Sequence, residues 1–214
     1  MKNPNHIPVW IISGLLNSGK TTLLERWAAE VAGRRFIFIV NEFAAVDVDT
    51  STLAKHGLEI FAMPGSDIFG GWPAEIEDIL RQIVTYEELP EFAEAPPVEG
   101  IVIEAGGMAN PRGLQKLLTT THLAAWFNVA GILTLVNPSR LFLALSYLPT
   151  IRAQIESANW LLLNKTDLYD ELQLLKAEAR LRKLRPDLSP LRCTHADAPV
   201  AWLENKSPQR STGF

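Results

Sequence analysis

The chain has 214 residues, 47% of them hydrophobic and 21% charged, with a formal net charge of −4. That length supports one large core and is short for two domains, and the absence of a basic run argues against nucleic acid or an anionic membrane as partner. A single cysteine excludes an internal disulfide and a cysteine-rich zinc site. Neither a signal-peptide pattern nor an apolar stretch of bilayer length is legible, so the cytoplasm is the expected compartment.

The first element is a strand at about 8–13, the apolar run Val9-Trp10-Ile11-Ile12. It leads into Gly14-Leu15-Leu16-Asn17-Ser18-Gly19-Lys20-Thr21, which fits the phosphate-loop pattern G-x-x-x-x-G-K-[ST]. A helix at about 20–32 follows, with Leu23, Leu24, Trp27 and Val31 at helical spacing. Strand, glycine loop and helix are the context the motif needs. Gly14 and Gly19 let the backbone curl, and the N–H groups of Asn17, Ser18 and Gly19 and of the helix start, Thr21 and Thr22, can converge on one anion. Lys20 can reach β- and γ-phosphates, and the Thr21 hydroxyl can ligate Mg²⁺. Trp10 and Trp27 read as core.

A second strand at about 35–41 runs into Asn41-Glu42-Phe43-Ala44-Ala45-Val46-Asp47-Val48-Asp49. Glu42 faces the phosphate end and is the better candidate for positioning an attacking water; Asp47 and Asp49 are weaker ones. A strand at about 58–62 and a helix at about 74–86 come next, then the acidic, proline-rich stretch 87–97, read as a solvated connector with a docking surface as the sharper alternative. The strand at about 100–105 ends in Ile103-Glu104-Ala105-Gly106-Gly107. Glu104 can hold Mg²⁺, usually through a water, and Gly107 can offer its N–H to a γ-phosphate.

A helix at about 111–119, a strand at about 130–136 and helices at about 139–148 and 150–158 lead to a strand at about 159–164. That strand ends in Asn164-Lys165-Thr166-Asp167. The Asp167 carboxylate can accept from guanine N1–H and the 2-amino group, donors that adenine lacks. Asn164 can bond the base edge or brace the phosphate loop, and the Lys165 stem can lie on the ring face. A helix at about 170–184 and a strand at about 189–194 close the pattern. Cys193 and His195 bracket Thr194; two soft ligands so close could hold a metal, but a site needs three or four. Strands rich in Ile, Val, Leu and Phe without strict alternation imply burial on both faces. The expected class is α/β, a doubly wound, mostly parallel sheet with helices on both faces, the P-loop NTPase architecture. Residues 1–206 read as a single domain and 207–214 as a flexible tail.

At these motifs the chain resembles the CobW-type GTPases, kin of the urease- and hydrogenase-maturation GTPases. The resemblance rests on G-L-L-N-S-G-K-T-T-L-L from 14, N-E-F-A-A-V-D-V-D from 41, I-V-I-E-A-G-G-M-A-N-P to 111, Q-I-E-S-A-N from 154 and L-L-N-K-T-D-L from 162, over about residues 8–203. It implies GTP and GDP binding, Mg²⁺ dependence, slow hydrolysis, nucleotide-dependent homodimers, a client metalloenzyme or cofactor-maturation protein, and a base-contacting loop at Thr194. The chain departs from the pattern where Met63–Gly70 lacks the family's C-x-C-C motif, where Ala45 replaces a second acid, and where a V-V-D strand end reads Leu135-Val136-Asn137. The family's second, C-terminal domain is not expected in this sequence, which runs only a little past the nucleotide-binding core. A tight thiolate site for Zn²⁺, Ni²⁺ or Co²⁺ is therefore not expected. Two other classes stay open: a guanine-nucleotide switch for partner docking, and a small-molecule kinase, which N-K-x-D argues against. No catalytic arginine can be assigned from the sequence: Arg34, Arg35, Arg112 and Arg152 are the candidates, and each reads more readily as a surface residue.

Overall fold

The computed structural model describes residues 6–41, 59–63, 74–89 and 95–204. Among these, seven strands form one sheet in the order β3-β2-β4-β1-β5-β6-β7, and every neighbouring pair is parallel. The strands are β1 Ile7–Gly14, β2 Phe36–Asn41, β3 Glu59–Met63, β4 Gly100–Glu104, β5 Phe127–Val136, β6 Trp160–Leu163 and β7 Leu191–Arg192. The helices are α1 Lys20–Glu30, α2 Ala74–Glu88, α3 Pro111–Thr120, α4 Pro138–Tyr147, α5 Pro149–Ser157 and α6 Glu171–Leu184. The expected doubly wound sheet is present.

Side chains alternate across each strand, so one strand feeds two cores. Trp10 and Ile12 of β1 pack with Leu23, Leu24 and Trp27 of α1, whereas Val9 and Ile11 pack with Ile76 and Leu80 of α2 and Leu114 and Leu118 of α3. A third cluster joins α4, α5 and α6 over β6 through Leu141, Ile155, Leu161, Leu163 and Leu181. Trp10 and Trp27 are core, as their spacing predicts. Each also uses its indole N–H: Trp10 Nε1 donates to Trp202 O and Trp27 Nε1 to Ala198 O. The C-terminal stretch is thereby strapped over α1 and β1.

Strands β5 and β7 differ from expectation for local reasons. β5 begins at Phe127 rather than near 130, because the register against β1 shifts between Val9 and Trp10, skipping Ala130; such a bulge breaks the alternation by which a strand is read. β7 shrinks to two residues, since Pro190 has no N–H for a ladder. Short 3₁₀ turns at His122–Ala125, Thr166–Leu168 and Val200–Glu204 carry no periodic signal. Helix starts follow their caps: Asn110, Asn137 and Asp170 side chains accept from backbone N–H groups at α3, α4 and α6. Asn137, the departure from V-V-D, thus caps α4 and also accepts from the Tyr169 hydroxyl at 2.8 Å. No described helix is long and apolar enough to cross a membrane.

Candidate functional site

Because the strands are parallel, the loops after β1, β4, β6 and β7 all emerge at one edge of the sheet, where open α/β sheets bind ligands. β1 lies at the centre, and the loop that follows it is the phosphate loop. Two glycines make its shape possible. Gly14 sits at φ +139°, and a Cβ there would collide with Leu135 O; Gly19 sits at φ +104°, and a Cβ there would run into Asn164 Nδ2. Asn17 takes a left-handed conformation at φ 61° without being glycine. Ser18 Oγ is buried with no hydrogen-bond partner among the described residues.

Lys20, the first residue of α1, is buried, and its Nζ donates to Gly14 O at 3.0 Å. Burial holds its pKa below the usual lysine value, and the Glu104 charge partly opposes that. Glu104 ends β4 and is 2% exposed. Thr21, one residue on, is half-buried. A threonine hydroxyl and a carboxylate near the phosphate-loop lysine are the hard oxygen donors that Mg²⁺ takes, so this donor set fits the expected ion. Gly107 packs on the phosphate loop itself: a Cβ on it would lie 2.9 Å from Leu16 N.

The loops after β6 and β7 meet at Asn164. Its amide is 1% exposed. Nδ2 donates to Ser18 O at 2.8 Å, while Oδ1 accepts from Ala196 N at 2.8 Å and from Cys193 Sγ at 3.3 Å. Asn164 thus braces the phosphate loop through Ser18. Thr166 N and Oγ1 both donate to Cys193 O, which joins the loops after β6 and β7 a second time. Lys165 is left-handed at φ 64° and half-buried, while Asp167 is exposed beside it. Thr194 is half-buried in the adjoining loop. His195 and Ala196 follow with φ 49° and 53°, two consecutive left-handed non-glycine residues. Such strain persists only where the surroundings over-determine it, and the Ala196 bond to Asn164 is one such constraint. Burial pushes the Cys193 thiol up to about 12, so it serves as a hydrogen-bond donor to Asn164 and not as a thiolate.

Gly14, Asn17, Ser18, Gly19, Lys20, Thr21, Thr22, Glu104, Gly107, Asn164, Lys165, Asp167 and Thr194 therefore share one edge of the sheet. Glu42, Asp47, Asp49 and the stretch from Pro64 to Gly70 lie outside the described residues, as do residues 207–214. The arginines divide. Arg34 and Arg35 precede β2 and so sit at the opposite edge of the sheet, where they pair with Glu99 and with Glu59 and Glu87; neither reaches this site from within the chain. Arg112 and Arg152 share Glu156 on the surface. Sequence reasoning gave no role to Gln154 or to Ala196. Gln154 lies in the Q-I-E-S-A-N run, but no spacing in that run says where a helix side chain will land.

Residues 8–191 match the family described as CobW/HypB/UreG, nucleotide-binding domain. Zinc chaperone YjiA of Escherichia coli K12 is 27% identical over 202 residues, covering 94% of this chain and 62% of the relative. Zinc-regulated GTPase metalloprotein activator 1 of Dictyostelium discoideum is 22% identical, covering 93% of this chain and 48% of the relative. The chain thus spans less than two thirds of the length of these relatives. Among solved structures, Zn(II)-bound YjiA GTPase from E. coli superposes with a TM-score of 0.72 at 22% identity, covering 95% of this chain and 63% of that one. HypB from Helicobacter pylori in complex with nickel does so with a TM-score of 0.57 at 16% identity, covering 92% and 82%. At those identities the likeness is one of fold.

Proposed function

The chain belongs to the CobW/HypB/UreG nucleotide-binding domain family, and from that membership we propose that it binds GTP and GDP with Mg²⁺ and hydrolyses GTP slowly. The observation that carries this reading is the Asn164 junction, in which one buried amide ties the phosphate loop at Ser18 to the loop after β7 at Ala196. A phosphate grip and a base grip set by the same side chain suit a ligand with both parts.

In this reading the amides of Asn17, Ser18, Gly19, Thr21 and Thr22 cradle the phosphates, with Gly14 opening the curve. Lys20 stabilises charge on the β- and γ-phosphate oxygens. Thr21 and Glu104 are the oxygen donors for Mg²⁺, which supplies further positive charge there. Gly107 N–H meets the γ-phosphate, and Glu42 orients the attacking water. Asp167 reads guanine N1–H and N2, the Lys165 stem covers the ring, and Thr194 borders it. The compartment is the cytoplasm, the chain pairs with a second copy when nucleotide is bound, and its partner is a client metalloenzyme or cofactor-maturation protein.

The relatives' names carry zinc. This chain offers Ser66, Asp67, Ile68 and Phe69 where the thiolate motif would stand, and transition-metal selectivity there needs soft ligands. That substitution favours a second reading, a guanine-nucleotide switch for partner docking without metal cargo. Calorimetry with GTP, GDP, ATP and ADP, with and without Mg²⁺, tests the first reading: guanine nucleotides bind far more tightly, and Asp167→Asn shifts preference towards xanthine. Equal affinity for ATP and GTP would sink it. Zn²⁺ titration against a competing chelator separates the two readings, since stoichiometric nanomolar binding would exclude the switch without cargo.

A further inference from the structure

Gln154 is a buried polar side chain on α5, outside the loops that form the site, and it is 1% exposed. Its Nε2 donates to Gly107 O at 3.1 Å and to Ala109 O at 2.9 Å. Both amide protons are therefore spent on the loop that follows β4. The same residue is anchored from behind, because Thr134 Oγ1 of β5 donates to Gln154 O at 2.9 Å. On the surface, Arg112 at the start of α3 pairs with Glu156 of α5 at 3.2 Å. The loop is thus gripped from its buried side and just beyond its end by one helix. On its other side it abuts the phosphate loop, where Gly107 leaves no room for a Cβ beside Leu16 N.

We propose that Gln154 is a positioning residue that presets the Gly107 loop against the phosphate loop, and so favours a nucleoside triphosphate over a diphosphate. This rests on the nucleotide reading above. Two carbonyls lie within hydrogen-bond reach of one side chain, and only a donor pair can satisfy both. The Gly107 N–H belongs to the Gly106–Gly107 peptide, whose carbonyl accepts from Ala109 N at 2.9 Å; with the Gly107 and Ala109 carbonyls held by Gln154, the turn that presents this N–H is preorganised. A diphosphate, lacking the terminal phosphate, gains nothing from that preorganisation. A methionine of similar length keeps the packing and removes both donors. A glutamate also lacks them and adds a buried charge.

Binding of labelled GDP and of a non-hydrolysable GTP analogue to the natural chain, Gln154→Met, Gln154→Glu and Thr134→Val tests the proposal. Gln154→Met should leave GDP affinity within about twofold and weaken the analogue about tenfold, with Gln154→Glu at least as severe. Thr134→Val removes one anchor of Gln154 and leaves both of its loop bonds in place, so it should shift the ratio much less than Gln154→Met does. An unchanged ratio in folded Gln154→Met, or an equal loss in Thr134→Val, overturns the proposal. Hydrogen exchange of the nucleotide-free natural chain supplies a readout that needs neither variant nor ligand. The 105–110 amides with backbone partners should exchange in step with those of α5, and exchange about a hundredfold faster would overturn the tether. If the natural chain binds no guanine nucleotide, the GTP reading falls, while the tether still stands or falls on exchange.

Discussion

The phosphate end and the base end of the site are built differently. At the phosphate end, Gly14, Ser18, Lys20 and Glu104 are all interior. Their positions are set by close packing: Gly14 against Leu135, Gly107 against Leu16, and α1 on the sheet through Leu23, Leu24 and Trp27. At the base end, Asp167 and His195 are exposed and the loops are held by hydrogen bonds through a strained, left-handed pair. One end is fixed by shape and the other by a few polar bonds, most of them to Asn164. Substitutions at the phosphate end should therefore change chemistry while the fold stands. Substitutions behind the base end should change both.

The largest expected effect is at Lys20. Lys20→Ala removes a buried ammonium that charge-assisted bonds to phosphate would use, each about twice as strong as a neutral one. Triphosphate affinity should fall at least about a hundredfold, or ~3 kcal/mol, while thermal stability holds or rises, since the lysine's desolvation cost goes with it. GTP binding and turnover at the natural level would show that the loop is not the site. Asn164→Ala comes next and should behave oppositely. It strands the Ser18 carbonyl and the Ala196 N–H in the interior, at a cost of roughly 2–4 kcal/mol for two buried groups. Denaturant unfolding should register that loss without any nucleotide. A variant as stable as the natural chain would mean that the two ends are not joined through this amide.

The same contrast explains what could be read from sequence. The phosphate end was legible because its constraints are local: Gly14, Gly19, Lys20 and Thr21 stand in one short run between a strand and a helix. The sheet was legible because parallel strands bury both faces and leave apolar runs. The base end was legible only in part. Asn164 and Asp167 announce themselves in N-K-x-D, yet which group Asn164 bonds depends on a loop about thirty residues later in the chain. Nothing in Thr194-His195-Ala196 marks two left-handed residues, because tertiary bonds and not glycine hold them there. Gln154 was invisible for a related reason. Its partners Gly107 and Ala109 lie in another loop, and only the docking of α5 brings them together.

A smaller effect follows from the lowered pKa of Lys20. Its value in the fold lies below the ordinary 10.5 because of burial, so between the two values the unfolded chain binds more protons and stability rises with pH. Below the folded value the buried charge is a standing cost. Phosphate charge reverses the shift by favouring the ammonium. GTP binding at a pH between the folded value and 10.5 should therefore take up protons, and affinity should fall as pH rises through the Lys20 value. Calorimetry in two buffers of different ionisation enthalpy measures the uptake. Identical heats in both, for the natural chain and Lys20→Ala alike, would mean that this lysine does not meet phosphate.

The smallest expected effect lies where the two ends touch at the surface. Arg26 of α1 pairs with Asp197, just past the left-handed residues, at 2.6 Å, with side chains 43% and 68% exposed. Exposed pairs of this kind contribute about 0.2–1 kcal/mol and are screened by salt. The loop after β7 has stronger fastenings in the Ala196 bond to Asn164 and in the Trp27 bond to Ala198 O. Arg26→Ala should thus lower stability by no more than ~0.5 kcal/mol, with the loss shrinking further in high salt. GDP affinity should change less than twofold, because Asn164 still sets the loop. Paired measurements on Arg26→Ala, Asp197→Ala and the double variant isolate the interaction. A coupling as large as the Asn164→Ala loss would mean that the base end is held from the surface and not from the buried amide.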